Sequence, residues 1–375
     1  MKIALINDVV YKYAIGSPAA SGGAERYQWL LARALAQKGW SVAVGAQTGV
    51  PRNGDSIDGV AFVRLGHGYH LREWYSFLKS ERPDWWYWQC ADHNWGPAVE
   101  IAKLLGVRTI FSAAVDRDVH LTKALYRRPY CWPLYAWGLL RSDKIFVQHE
   151  GQRSHLPRML QGKASILPGI VSATPDVLSH SARGNYVAWV AMLREVKRPD
   201  VLIEIARALP QITFVVCGGP TTYFARPGYG EKIVNEFRSL PNIEYRGHVA
   251  PGEAINTICH AALLLSTSDE EGFPSTFLEA WSAGTPVMSL KLDPECAIAR
   301  FALGTVPGTV ERAVEQIASL VASAERRDQI AAHAREYIAE NHSETAVTNA
   351  FEQGIQLVAQ RHRIPTFSKD AIRKI

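Results

Sequence analysis

Apolar and polar positions along the chain alternate between two patterns. Short continuous apolar runs, such as KIALIN from Lys2, are followed by stretches in which apolar residues return every three or four positions. In AERYQWLLARALAQKG, the residues Tyr27, Leu30, Leu31, Ala34 and Leu35 make one stripe of a helix, and Gly39 is a stop signal before the next run, SVAV. Further strand-like runs follow at DWWYW (84–88), VRTIF (107–111) and DKIFVQ (143–148), with helical stretches between them. Such strand, helix, strand repetition predicts a parallel sheet covered on both faces.

Around LPGIVSATPDVLSHSARGN (167–185) the pattern breaks into Pro, Gly, Ser and Ala, the signature of a linker. It then restarts with YVAWV (186–190), a helix RPDVLIEIARAL, and the runs ITFVVCGGP, NIEYRG, ALLLSTS and PVMSL separated by helical segments. One long helical region is expected over 311–342, with a basic tail after it. At 375 residues the chain exceeds the size of a single core. The prediction is an α/β chain of two Rossmann-like, doubly wound domains, residues 1–172 and 173–355, with a tail, 356–375, packing back on the first. Two such domains would leave a central cleft faced by the carboxyl ends of their strands, where function is expected.

Charge and cysteine content narrow the class. The formal net charge is only +5, which suits an anionic substrate or a membrane surface but no nucleic acid. Five scattered cysteines form no C-x-x-C, so neither a disulfide framework nor a zinc site is expected. The first residues read as a strand rather than a signal peptide, and no run approaches the roughly 18 apolar residues that span a bilayer. A cytoplasmic protein, at most peripheral at the membrane, is the expectation.

The densest chemistry lies in SDEEGFPSTFLEAWSAGTPV (268–287). Asp269, Glu270 and Glu271 precede a Gly272-Phe273-Pro274 turn, and Ser275 and Thr276 open a short helix that carries Glu279. A helix N-terminus offers unpaired N–H groups and the positive end of a dipole, which favour a phosphate or sugar hydroxyls. Thr276-x-x-Glu279 is also a capping box, in which Glu279 would bond the cap residue's own N–H and touch no ligand. Both readings stand on these residues alone.

Six segments, in order, resemble the retaining glycosyltransferases of family 4, which have the GT-B fold. They are SGGAER (21–26), SDKIFVQHEGQR, ILPGI, VAMLREVKRPDVLIEIARALP, GHV and EEGFPSTFLEAWSAGTPV, with its paired glutamates. The resemblance implies a nucleoside diphosphate sugar donor, of UDP or GDP type. Glu271 would touch the donor sugar and support positive charge at its anomeric carbon, and Glu279 would accept hydrogen bonds from the ribose. The turn and helix start, Gly272, Phe273, Pro274, Ser275 and Thr276, would hold sugar or diphosphate oxygens. Gly22 and Gly23 would let the backbone approach closely, while Gly219 and the loop of His248 and Val249 complete the donor site. Lys197 matches the diphosphate lysine. The arginine usual five residues before it falls on Met192 here, and Arg194 is the candidate to supply its charge.

In the first domain the family often carries a His-Asp pair, and AAVDRDVH keeps Asp116 at the second position with alanine or valine at the first. The implied catalytic set is Glu271, Lys197, Arg194 and Asp116, with Glu25, Asp118 and His120 as acceptor-side candidates. Asp118 has the alternative of capping the following helix. Asp116-Arg117-Asp118 also matches the D-x-D metal motif of single-domain transferases. The two-domain layout argues against it, so no obligatory metal or cofactor is expected.

The function implied is retaining transfer of a hexose-type sugar to a glycan or lipid-linked hydroxyl, in bacterial surface polysaccharide or glycolipid assembly at the inner membrane face. The aromatic and basic stretch with Arg127, Arg128, Tyr130, Trp132 and Trp137 suits lipid contact, or else forms core. Alternatives are a non-catalytic nucleotide- or glycan-binding protein of the same fold, and a nucleotide-sugar epimerase or hydrolase. A dehydrogenase is disfavoured because SGGAER lacks the third glycine of G-x-G-x-x-G.

Overall fold

The structure is a computed structural model that describes residues 1–361 apart from 18, 19, 21, 67–69, 122, 126–130, 175–178, 223 and 224, and apart from the side chains of 358–361. Contacts divide the chain into two units: Met1–Asn7, Ala32–Pro168 and the segment from Val347 form one, and Asp8–Leu31 with Gly169–Ala346 form the other.

Among the described residues the first unit holds a sheet of eight strands: β1 (Lys2–Ile6), β2 (Ser41–Ala46), β3 (Asp55–Ile57), β4 (Val60–Arg64), β5 (Trp85–Gln89), β6 (Arg108–Ser112), β7 (Lys144–Val147) and β8 (Ala164–Ile166). Their order is β3-β4-β2-β1-β5-β6-β7-β8, parallel throughout except for the antiparallel pair β3–β4. That hairpin departs from the expected all-parallel sheet. It turns on Asp58 and Gly59, both at positive φ (49° and 79°), the conformation a two-residue turn between twisted strands requires. The early helices are α1 (Asp8–Ala14), α2 (Gly23–Gln37), α3 (His70–Glu81), α4 (Trp95–Leu104), α5 (Trp132–Arg141), α6 (Glu150–His155) and α7 (Arg158–Gln161).

The core of this unit is aromatic. Trp85, Trp86 and Tyr87 of β5 are buried, and the Trp86 ring meets Trp74, Trp88 and Trp95 at centroid distances of 5.9, 5.8 and 6.1 Å, edge to face. Such contacts add to the area these rings bury.

The second unit has β9 (Tyr186–Val190), β10 (Thr213–Cys217), β11 (Ile243–Gly247), β12 (Leu263–Ser266), β13 (Val287–Ser289) and β14 (Gly304–Thr305) in the order β11-β10-β9-β12-β13-β14, all parallel. Its helices are α8 (Pro199–Ala208), α9 (Tyr229–Arg238), α10 (Pro251–Cys259), α11 (Ser275–Ser282), α12 (Ala297–Arg300), α13 (Val310–Ala322) and α14 (Ala324–Asn341). The long helical region expected over 311–342 is two helices. Ser323 parts them because its hydroxyl accepts from Arg326 N at 3.2 Å and caps α14.

A last helix, α15 (Glu344–Arg361), closes the first unit. Phe351 stacks on Phe146 at 5.2 Å, and Glu352 accepts from Trp40 Nε1 at 2.9 Å and pairs with Lys38 at 2.7 Å. Most of the tail read as 356–375 lies outside the described residues.

Each sheet reverses direction at a switch point. In the second unit the chain leaves β9 to one side for β10 and β11 and returns on the other for β12. Ligand crevices of doubly wound sheets form at the carboxyl ends of the strands beside such a point.

Candidate functional site

The loops that follow β9 and β12 are fastened to each other. After β9 the chain passes through Arg194 into a short 3-10 helix, Glu195–Lys197. Thr267, just past β12, donates to the carbonyl of Lys197 at 2.7 Å and accepts from Trp189 Nε1 at 3.0 Å; Asp269 N donates to Val196 O at 2.9 Å. These bonds bring two expected site residues together. The Lys197 ammonium pairs with Glu271 Oε1, and Ser268 Oγ donates to the same oxygen at 3.0 Å. Arg194, three residues upstream, has a buried Nε with no hydrogen-bond partner among the described residues.

Gly272, Phe273 and Pro274 lead into α11, whose cap residue is Pro274 and which carries no side-chain cap. The capping-box reading of Thr276 and Glu279 is therefore not what the chain adopts. Glu279 lies in the second turn, 7% exposed, and pairs through Oε1 with the guanidinium of Arg26. The first turn of α2 lies beside the first turn of α11, where a β-carbon on Gly23 would stand 3.6 Å from Ser275 Oγ. Gly22 has φ of +106°, and a side chain there would meet the Glu25 carboxylate, so this position needs glycine. Burial raises the pKa of Glu25 and holds that of Arg26 down to about 10, still a cation at neutral pH. Tyr13, whose hydroxyl donates to Gly22 O at 2.9 Å, is pushed up to about 12 by burial.

Gly219 and His248 are neighbours at the carboxyl ends of β10 and β11, where a β-carbon on Gly219 would sit 3.2 Å from that of His248. His248 is exposed and Val249 half-buried.

The remaining expected residues belong to the first unit. Asp116 accepts from Gln152 Nε2 at 3.0 Å and meets His149 Nε2 at 2.9 Å. Since His149 Nδ1 accepts from Gln152 N at 3.2 Å, the ring proton sits on Nε2 and faces the carboxylate. The His149 hydrogen bond, offset in part by burial, lowers the pKa of Asp116. Asp118 is 5% exposed and accepts from Ala114 N, Val115 N and Ala91 N at 2.8, 3.2 and 3.3 Å; burial raises its pKa. Its carboxylate braces the loop it stands in. His120 lies against His155, ring centroids 4.7 Å apart.

Arg26, His149, Gln152 and Ser268 touch expected site residues and were not themselves expected from the sequence. Arg26 stands beside Tyr27 and one turn before Leu30, at the edge of the apolar stripe of α2. His149 follows a buried strand at its carboxyl end. Both positions are unusual enough for charged or titratable residues to have served as signals.

Residues 173–337 match the family model described as "Glycosyl transferases group 1", and residues 22–167 match the "Glycosyl transferase 4-like domain". With two Rossmann-like sheets of the order described, the chain has the GT-B fold, and each of these two stretches resembles a glycosyltransferase family. Among particular relatives, a D-inositol 3-phosphate glycosyltransferase of Mycobacterium leprae (strain Br4923) is 31% identical over 126 residues, 32% of this chain and 29% of that protein. The namesake from Mycolicibacterium gilvum (strain PYR-GCK) is 26% identical over 270 residues, 66% of this chain and 59% of that one. The chain thus spans less than two thirds of the length of these relatives. Two solved structures share the fold over nearly the whole chain. Sucrose-phosphate synthase from Thermosynechococcus elongatus has a TM-score of 0.71 at 16% identity, covering 97% of this chain and 100% of that chain. Anabaena Alr3699/HepE in complex with UDP-glucose has a TM-score of 0.71 at 14% identity, covering 96% and 100%.

Proposed function

We propose that the protein is a retaining, metal-independent glycosyltransferase that moves a hexose-type sugar from a nucleoside diphosphate sugar, of UDP or GDP type, to a hydroxyl of a glycan or lipid-linked acceptor. The observation that carries this reading is the pair of fastened loops beside the β9/β12 switch point, which hold an ammonium, a carboxylate, an unpartnered guanidinium Nε and an uncapped helix N-terminus. Three of these four groups favour an anion, and the fourth suits a carbon that becomes positive.

In the reaction, Lys197, Arg194 and the first N–H groups of α11 meet the charge that grows on the departing diphosphate. Preorganised donors of this kind contribute most where charge develops. Glu271 supports the anomeric carbon as it becomes electron-poor, and the leaving diphosphate takes the acceptor proton on the same face. Gly272 to Thr276 hold sugar or phosphate oxygens, Gly22, Gly23 and Gly219 keep space for close backbone approach, His248 and Val249 flank the base, and Glu279 accepts from the ribose. On the acceptor side, Asp116 oriented by His149 contacts hydroxyls, with Glu25 and His120 as further candidates. Asp118 acts there through the loop it braces.

Peripheral contact with an anionic lipid surface belongs to the same reading. The exposed face of α5 presents Trp132, Leu134, Trp137 and Leu140, with basic Arg141 at its end and Lys163 donating to the carbonyls of Leu140 and Ser142. Arg127, Arg128 and Tyr130 lie outside the described residues. No helix among the described residues is long and apolar enough to cross a membrane. The setting we assign is surface polysaccharide or glycolipid assembly at the inner face of a bacterial membrane.

The test is thermal stabilisation by UDP, GDP, ADP, dTDP and their sugar conjugates, with and without EDTA, because a ligand that binds only the folded state raises the midpoint by mass action. At a hundredfold excess over Kd the gain is about 2.7 kcal/mol. An EDTA-insensitive rise with one nucleotide class is expected, and the anomeric configuration of the product then reports retention. No rise with any of them would overturn the reading.

A further inference from the structure

Arg26 has no part in the reaction as proposed, yet it is a buried cation on the one carboxylate assigned to the ribose. Glu279 is 7% exposed, and its Oε1 is taken by Arg26. A carboxylate this buried needs a countercharge beside it. Arg26 supplies that countercharge from a well-defined place: the first turn of α2, a helix of 15 residues, set against the first turn of α11.

We infer that Arg26 is a positioning residue for the donor: it holds Glu279 turned so that Oε2 is presented to the ribose hydroxyls of the nucleoside diphosphate. This rests on the assignment of Glu279 to the ribose. A guanidinium engaged at Oε1 leaves one carboxylate oxygen to a ligand and fixes the plane in which it lies, a geometry that the single point charge of a lysine reproduces only in part. The residue thereby sets selectivity for ribonucleotides over their 2′-deoxy counterparts. A pair that merely fastened α2 to α11 would change stability and leave that selectivity untouched.

The experiment measures Kd by calorimetry for UDP, 2′-deoxy-UDP, GDP and 2′-deoxy-GDP with the wild type, Arg26→Gln, Arg26→Lys and Glu279→Gln, each checked for folding by thermal melt. For the base that binds, the wild type is expected to prefer the ribonucleotide by about tenfold or more, the worth of a hydrogen bond to a charged group. In Arg26→Gln and Glu279→Gln the preference collapses to within about twofold, through lost ribonucleotide affinity at unchanged 2′-deoxy affinity, while Arg26→Lys gives an intermediate ratio. A preference kept in Arg26→Gln but lost in Glu279→Gln overturns the inference and leaves the ribose assignment standing. A wild type without preference, or a Glu279→Gln that keeps it, overturns the assignment and the inference together. Should Arg26→Gln fail to fold, Arg26→Lys decides, and a ratio equal to wild type overturns the inference.

Discussion

Asp116 and Asp118 stand two positions apart with their carboxylates in opposite conditions. Asp116 is half-exposed and held by one histidine and one glutamine, so its folded pKa is lowered; it adds stability at neutral pH and loses that contribution as pH falls through its folded value. Asp118 is buried with a raised pKa, so its charged form costs stability above the ordinary aspartate range, and the cost is relieved as pH falls. Removing each should therefore read differently. Asp118→Ala leaves three buried N–H groups without their acceptor and is expected to cost about 2–4 kcal/mol, seen as a lower denaturant midpoint. Asp116→Asn should cost under about 1 kcal/mol and lower turnover by about a hundredfold, a contrast that equal stabilities or equal activities would refute. In the loops after β9 and β12, Glu271→Gln keeps the shape and hydrogen-bonding capacity of the side chain but not its charge. Turnover should fall by about 10²–10³ with little change in thermal midpoint.

Elements differ in how far the sequence announces them. YVAWV, read as residues 186–190, is strand β9 to the residue, because a strand buried on both faces needs a continuous apolar run and nothing else. Strands β8 and β14 span three and two residues, too short to leave a pattern, and the β3–β4 hairpin was signalled only by Asp58-Gly59. The break at Ser323 was visible as a capping serine but masked by helical periodicity on either side. Lys197, Glu271 and the turn before α11 were legible from motif order. The partners Arg26 for Glu279 and His149 for Asp116 were not, because periodicity speaks only of neighbours along one element. Two substitutions test the element boundaries. Ser323→Ala should cost about 1 kcal/mol through loss of the α14 cap, and Gly22→Ala about 1–3 kcal/mol through strain at positive φ; both are measurable by denaturant unfolding.

For the whole molecule, two buried imidazoles weigh against stability in acid. His180 Nε2 donates to Gly284 O at 2.9 Å while Nδ1 accepts from Arg327 Nε at 3.4 Å, and His342 bonds Gly169 O and the Tyr337 hydroxyl at 2.8 and 3.0 Å. Burial lowers both to about 4 from an ordinary value of 6.5. The unfolded chain therefore binds more protons between these values, and stability falls as pH drops from about 6.5 toward 4. Calorimetry across that window should show a falling melting temperature, and a flat profile would contradict it. Helix α15 has a consequence for biosynthesis. Its Glu352 reaches Trp40 across 312 positions of sequence, and its Phe351 covers Phe146. A ribosome that has released residues 1–168 has therefore emitted all eight strands of the first sheet while Phe146 and Trp40 still lack their partners from α15. Until the distant helix arrives, that nascent sheet is a client for chaperones, and a fragment ending at Pro168 should precipitate unless a peptide of residues 344–361 is supplied with it.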